Sequence, residues 1–558
     1  MKWWGWGSED VTYPLMDRPY IRAFLQSRLG VDAERTTCPA VSQREISLRP
    51  TRLPEPAARA LRATLGDQGL VLSDLERFKH SFGKSYRDLL RARAGRSERP
   101  TDGVAYPATE EAVTALVALA QELEIALIPF GGGTSVVGGV EPPPDEPRPV
   151  LTVNLQRLNR ARWVRPECHL AEFEAGILGP DLERELSFYD MTLGHFPQSF
   201  EFSTLGGWIA ARSAGQASTY YGRIEDLVES LTTVTPVGII ETLPVPATAT
   251  GPSVKQLMIG SEGIYGLITR AVMRLHPRPS VFLPRALLFR TLRDGATALR
   301  TLMDAELRPA IARLSDEEET RSIFALRHAP QTAGKALKEL VGQAVLGLKN
   351  YSFERGCLLL LMFEGTREAD LNLRQNEALS IARGHGAFDL GASPTAAWRQ
   401  ERFRHPYLRD HFMDWGIMVD TLETATTWDN VLDLHSAVRK AIHLGFAEAG
   451  APGIVLCHLS HLYATGASLY FTFLAPQRKG RELEQWETVK RYATEAIIAG
   501  RGTLSHHHGV GRDHRSWLAA ELSAPGVAAL EAARSCLDPA RVLNPGCVLP
   551  WPGAKGVA

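Results

Sequence analysis

Apolar positions recur along this chain in two rhythms, and the switches between them mark out its parts. Over residues 1–100, FLQSRLG, EPAARALRATLG and SYRDLLRARAG place apolar side chains at helical spacing, and each stretch closes on a glycine that can stop a helix. The Arg and Lys that crowd 77–99 then read as solvated faces of these helices. From 101 the pattern becomes mixed. Thr109 can cap a helix that carries Glu110 and Glu111 in its first turn, and Val113, Leu116, Val117 and Ala120 follow at i, i+3, i+4, i+7. The short apolar run Ile125–Phe130 reads as a buried strand that ends in Gly131-Gly132-Gly133-Thr134-Ser135. Past the Pro-rich turn Pro142–Pro149, Leu151, Val153 and Leu155 alternate as in a strand. Residues 190–280 are rich in Gly and short strands. From about 281, longer helical segments alternate with β-rich ones such as Cys357–Phe363 and Ser468–Leu474. The texture predicts an α+β protein with a helical region at 1–100, a glycine-rich domain at 101–280 and a second α+β domain at 281–495. A tail at 496–558 holds a His cluster and a helix near 525–537.

Composition narrows the function classes. The 558 residues carry 62 Lys+Arg against 63 Asp+Glu, a net charge of −1, so the basic excess of a nucleic-acid binder is missing and no nucleic-acid partner is expected. The six Cys show no CxxC or paired spacing, which argues against a disulfide framework and fits a reducing compartment. No charge-free apolar run is long enough to span a bilayer. MKWWGWGSEDVTYPL lacks the apolar core of a secretory signal, and KGVA is not a peroxisomal signal. The expected location is cytoplasmic, peripheral at a membrane surface.

The glycine run raises the question of nucleotides. A Rossmann fingerprint starting at Gly131 needs glycine where Val136 stands, and a phosphate loop of the Walker type needs a Lys that does not follow. No GxSxG and no HExxH occurs. His458 and His461 are three apart, but their neighbourhood reads as β, and no metal is expected. Successive glycines still let backbone N–H groups approach a phosphate without Cβ interference, and Thr134 and Ser135 add hydroxyl donors.

Pro129-Phe130-Gly131-Gly132-Gly133-Thr134-Ser135 resembles the pyrophosphate loop of vanillyl-alcohol-oxidase-type (PCMH-type) FAD domains. Ser199 through Trp208 resembles their second glycine segment, and Ile259 through Ile268 the third. Within that superfamily the chain is similar to the alkyldihydroxyacetonephosphate synthase (alkylglycerone-phosphate synthase) family. The resemblance rests on Lys2-Trp3-Trp4-Gly5-Trp6-Gly7, Tyr221 to Val228, Tyr407-Leu408-Arg409-Asp410, Glu423-Thr424 with Trp428-Asp429, Thr465 to Phe471, and Ser505-His506-His507-His508-Gly509-Val510-Gly511. Gln198 stands where the family has an acidic residue and His458 where it has Arg, and Arg512-Asp513-His514 replaces a basic stretch.

The resemblance implies a two-subdomain FAD-binding domain at 101–280, a cap or substrate domain at 281–495, and a C-terminal segment that closes the active site. It implies that FAD lies along Pro129, Phe130, Gly131, Gly132, Gly133, Thr134 and Ser135. The second stretch of contacts would be His195, Gln198, Ser199, Ser203, Thr204, Gly207, Ala211, Arg212, Ser213 and Ala214. The third would be Glu262, Gly263, Ile264, Tyr265, Gly266, Leu267 and Ile268. His195 has a structural role as its alternative. Residues 129–140 hold no His for covalent attachment, so the FAD is expected to be non-covalent.

The implied reaction is a redox-neutral exchange of the acyl group of acyl-dihydroxyacetone phosphate for a long-chain fatty alcohol. The ester-bearing carbon lies beside a ketone, which acidifies its C–H; the flavin accepts electron density, carboxylate leaves, and the alcohol adds at the same carbon. Tyr470 is the implied acid/base residue. A Tyr pKa near 10 requires a polar or cationic neighbour, for which His506, His507 and His508 are the candidates. On an extended segment His506 and His508 would share a face, with His507 opposite. Arg409 is the candidate phosphate ligand, with a salt bridge to Asp410 as its alternative. Arg313, in Ile311-Ala312-Arg313-Leu314, matches a basic position near the family's active site and is the second candidate for binding substrate; inside an apolar stretch it should be paired with a carboxylate. Leu337, Leu340, Val341, Val345 and Leu348, with Ala336, Ala344, Lys335, Lys338 and Lys349 nearby, read as a membrane-facing helix or tunnel gate, or as an ordinary cap helix. A homodimer is expected from the resemblance. The alternative function is an FAD-dependent oxidase or dehydrogenase of a 2-hydroxy acid or alcohol, because one fold hosts both chemistries.

Overall fold

The strand that feeds the triple-glycine turn is Ala126–Phe130, buried except at Pro129, and it pairs in parallel with Val150–Asn154. The computed structural model containing it describes residues 1–15, 18–33, 36–330 and 332–550, with the side chains of 335, 336, 338 and 339 outside the description. Lys335, Ala336 and Lys338 of the expected amphipathic helix therefore lie outside the described side chains.

Three main sheets organise the molecule. The first has the spatial order Leu70–Val71, Gly103–Ala105, Val150–Asn154, Ala126–Phe130. Helix Glu110–Glu122 packs Val113, Leu116, Val117 and Ala120 against it, and the Thr109 hydroxyl accepts from Ala112 N at 3.2 Å, as the cap signal predicts. The second is a five-stranded antiparallel sheet, ordered Ala161–Arg165, Leu170–Glu174, Leu267–Arg274, Val228–Thr235, Gly238–Glu241. The third is a seven-stranded antiparallel sheet ordered Phe388–Gly391, Val281–Phe289, Cys357–Gly365, Ile311–Ser315, Ile454–Leu462, Gly466–Pro476, Ile417–Thr427. Helix Val431–Ala449 lays its apolar face into the third core.

The N-terminal helices form where their spacing places them: Tyr20–Leu29, Glu55–Leu65 and Tyr86–Arg93, the first two closed by Gly30 and Gly66. Their basic residues depart from the expected solvated faces. Arg77 is only 2% exposed, donating to the carbonyls of Thr101 and Arg49 at 2.9 Å and to Asp74. Arg91 pairs with Asp88 and Glu141, and Arg93 with Asp414. These cations hold the N-terminal region onto the rest of the chain, which a helical wheel cannot show. The tail helix runs over Leu518–Leu537, longer than expected, with a break at Ser523 where φ is 64°.

Candidate active site

One cavity of about 1210 Å³ runs between the glycine-rich domain and the seven-stranded sheet. One end is a backbone cradle made by Gly131 to Ser135, the 203–214 segment and the 262–268 segment. The glycines are required here. A Cβ on Gly132 would sit 1.7 Å from the Phe202 carbonyl, one on Gly131 2.2 Å from Thr204 Oγ1, and Gly133 has φ +65°. The cradle thus brings exposed peptide groups and the Thr204 helix start together, which fits a dinucleotide pyrophosphate.

Most of the anticipated cofactor residues line this cavity: Pro129 to Ser135, Gln198, Ser199, Ser203, Thr204, Gly207, Ala211, Ser213, Ala214, Glu262, Gly263, Gly266, Leu267 and Ile268. Four do not. His195 is 1% exposed, 3.2 Å from Ser213 Oγ and against the Trp208 ring, so it supports the cradle from behind. Arg212 turns away to the carbonyls of Ile259 and Gln256. Ile264 and Tyr265 are core side chains. Glu262 also clamps the tail, because its carboxylate accepts from Val510 N at 2.6 Å and Gly511 N at 3.0 Å.

The reacting groups gather where the cradle meets the sheet. Tyr470 on strand Gly466–Pro476 lines the cavity, its ring 4.9 Å from His458 at 18°, 6.1 Å from His507 and 5.6 Å from His508. The His triplet is not extended. Glu423 accepts from the backbone N–H of His506, His507 and His508 at 2.5, 3.1 and 2.8 Å and from Ser505 Oγ at 2.7 Å. Three amides converging on one carboxylate curl the segment into a nest. His507 and His508 therefore face the cavity, while His506 turns behind it to Tyr463 OH at 2.5 Å. This corrects the expected pairing of His506 with His508.

A second correction concerns charge. Burial holds His506 and His508 below the ordinary imidazole value and His507 down at about 3, so the triplet is neutral at physiological pH. It does not supply the cation expected beside Tyr470. Burial pushes Tyr470 up to about 12, with Glu423 and Asp420 acting in the same direction and Arg313 opposing. The phenol is a held proton.

Arg313 is paired as anticipated, donating to Glu319 at 2.7 Å; the same oxygen meets His458 Nδ1 at 2.9 Å. Arg409 departs from its salt-bridge alternative. Asp410 takes Lys2 Nζ at 3.1 Å and Trp6 N at 3.0 Å, while Arg409 Nη1 donates to the Lys84 carbonyl at 2.7 Å. Arg409 Nε and Nη2 are buried at the cavity wall without partners among the described residues. Sequence reasoning missed Glu423 and Glu319 as organisers. Their signal was an acidic residue within a strand or helix otherwise committed to the core. It also missed His461. A bulge between Ser460 and Leu462, with φ +47° at His461, brings that ring to 5.1 Å from His506. One ligand nitrogen each from His461, His506 and His507 lies within 4.8 Å of the others. His506 Nδ1 and His507 Nδ1 are mutually bonded at 2.9 Å.

Apolar side chains also line the cavity, among them Phe24 and Leu25 from the N-terminal helix, Leu346, Trp398, Phe412 and Leu456.

Residues 101–243 match the family model described as FAD binding domain, and 281–548 the model described as FAD linked oxidases, C-terminal domain. FAD is therefore the cofactor of the cradle. An alkyldihydroxyacetonephosphate synthase from Trypanosoma brucei brucei is 35% identical over 91% of this chain and 83% of its own length. The Dictyostelium discoideum enzyme of that name is 32% identical over 99% and 93%. The chain belongs to the alkyldihydroxyacetonephosphate synthase family. A solved alkyldihydroxyacetonephosphate synthase superposes with TM-score 0.83 at 30% identity, covering 98% of both chains. A 4-ethylphenol oxidase from Gulosibacter chungangensis, at 16% identity and TM-score 0.67 over 91% of this chain and 99% of its own, shares the fold alone.

Proposed function

We propose that this protein forms the ether bond of ether lipids, exchanging the acyl group of acyl-dihydroxyacetone phosphate for a long-chain fatty alcohol without net oxidation. The observation that carries the reading is one cavity lined by three chemistries: a dinucleotide cradle, a protic cluster with an unpartnered arginine, and a set of apolar side chains able to take an aliphatic chain. A hydroxy-acid oxidase has no use for the third.

When bound, FAD supplies an electron-accepting ring that lets a carboxylate leave from a carbon next to a ketone and be replaced. The protein does the rest. Arg409 offers two free N–H-bearing nitrogens to the phosphate, a charge-assisted contact that fixes the headgroup. His507 is neutral and tethered at Nδ1, which leaves Nε2 to accept the proton from the activated carbon and to return it to that carbon once the alcohol has added. Tyr470 keeps its phenolic proton and donates it to the departing carboxylate oxygen; the alcohol proton restores it. The apolar walls exclude water, which would otherwise compete with the alcohol.

The deciding assay incubates purified protein with acyl-dihydroxyacetone phosphate and hexadecanol and measures ether product and released fatty acid in equal amounts. Tyr470→Phe should cut turnover by at least ~100-fold while the flavin spectrum persists. Rapid anaerobic bleaching by lactate or glycolate, with no ether product, would place the protein among the hydroxy-acid enzymes instead.

The same reading extends to the membrane. Helix Ala333–Leu348 leaves Leu337, Leu340 and Leu348 62%, 65% and 85% exposed while Val345 and Leu346 line the cavity. Exposed apolar residues on a cavity-lining helix suit a lipid surface. Liposome flotation of the protein, lost in Leu340→Asp with Leu348→Asp, tests this peripheral association. Dissociable FAD, released to the supernatant by acid, and a homodimer by sedimentation complete the proposal.

A further inference from the structure

A second chamber of about 540 Å³ lies at the seam between the glycine-rich domain and the seven-stranded sheet. It touches the main cavity at Gln216 and Ile311, which line both. Helix Ser393–Glu401 and the residues after it supply Arg399 and Arg402 to its wall. Neither guanidinium forms an ion pair among the described residues, and the Nε of each is buried without a partner. Arg399 sits 4.0 Å over the Phe282 ring, and Arg402 4.7 Å over Phe403 and 5.5 Å over Phe196. The two cations crowd each other: burial and Arg399 together pull Arg402 down to about 10. Two acidic side chains share the wall: Glu364 accepts from Tyr221 OH at 2.7 Å, and Glu183 accepts from Thr192 Oγ1 at 2.8 Å and Leu193 N at 3.0 Å; burial pushes both above the usual carboxylate range, with Arg399 and Arg402 opposing it at Glu364.

Two half-buried guanidiniums that form no ion pair among the described residues, each with a buried unpartnered Nε, call for an anion. The walls decide which kind. Phe196, Phe200, Phe282 and Phe403 offer ring surface where a hydrated phosphate would want further donors. We propose that this chamber is a second ligand site that binds an organic monocarboxylate with a short or aromatic stem, its carboxylate on Arg399 and Arg402 and its stem against Phe196 and Phe403.

The test titrates the full-length, FAD-loaded protein by calorimetry with benzoate and, separately, with inorganic phosphate. Benzoate should bind at one site, and Arg402→Gln and Arg399→Gln should each weaken it roughly tenfold or more, the loss expected for a charged hydrogen bond. Flavin absorbance in each variant reports that the fold is kept. A second measurement needs no variant: phenylglyoxal labels accessible arginines, and peptide mapping should show benzoate slowing the labelling of Arg399 and Arg402. The proposal is overturned if benzoate leaves both labelling rates unchanged, if it binds the two variants as tightly as the parent, or if phosphate, and not benzoate, slows the labelling of Arg399 and Arg402.

Discussion

At Gly132 the loop backbone passes so close to the 199–207 segment that a single methyl would meet the Phe202 carbonyl at 1.7 Å. Both partners are backbone, so neither can swing aside. Gly132→Ala should therefore purify colourless, with flavin absorbance at 450 nm lost at a protein concentration that keeps the parent yellow. Glu423 is the other decisive single residue. Its carboxylate satisfies three amides and a hydroxyl, and against the opposing effect of burial it is held well below the usual carboxylate range, the Ser505 hydrogen bond acting in that direction. Glu423→Gln replaces one acceptor oxygen by an NH₂ that faces an N–H. We expect a loss of about 2–3 kcal/mol in a denaturant titration, because donors are left buried and unpaired. A variant as stable as the parent would mean that the nest is held by something else.

Among elements, the N-terminal strap does more than cover a core. Lys2 Nζ reaches Asp410, the Lys2 carbonyl accepts from Lys84 Nζ at 2.7 Å, and the Lys84 carbonyl accepts from Arg409. Lys84 N also donates to the Ser135 carbonyl at 2.6 Å. One chain of bonds thus links the first residues, the dinucleotide loop and the arginine offered to phosphate. Lys2→Met removes one partner of an ion pair whose members are 2% and 7% exposed, and should destabilise the fold by about 3–5 kcal/mol. It should also raise KM for the phosphate substrate more than it lowers kcat. Equal effects on both would detach the strap from Arg409. The strand Ile454–Leu462 shows a comparable economy. Its bulge lets His458 and His461, three apart, both line one cavity, which a regular strand would forbid.

At the scale of the whole molecule, buried imidazoles set the response to acid. Burial pulls His195, His507 and His514 down to about 3 and His405 to about 4, while unfolded His titrates near 6.5. As pH falls from about 6.5, the unfolded chain takes up protons that these four sites refuse, so stability falls. Glu183, pushed up to about 7, and Asp513, pushed up to about 6, act in reverse, since the folded protein keeps protons that the unfolded chain releases. Four sites outweigh two. Each net proton is worth about 1.4 kcal/mol per pH unit. The denaturation midpoint should therefore drop between pH 7 and pH 5 and unfolding should take up protons. A midpoint that rises on acidification would mean that the imidazoles are not buried neutral.

Local patterns were readable without coordinates. The helix after Thr109 and the strand into the triple glycine follow from spacing and from the absence of a Cβ, properties of neighbours in the chain, whereas the second and third glycine segments were marked by resemblance. The matching of Tyr470 to a reactive role came from resemblance along the whole sequence. What the fold alone decided is which long-range partner each charged group meets. Arg77 reads as a solvated cation and is buried; Asp410, the alternative partner of Arg409, takes Lys2 instead; His506 reads as sharing a face with His508 and faces Tyr463. In each case the outcome depends on a residue distant in sequence that removes water from the group or offers it a better bond. Electrostatic energies scale with distance and local dielectric, and neither is written in the order of the residues.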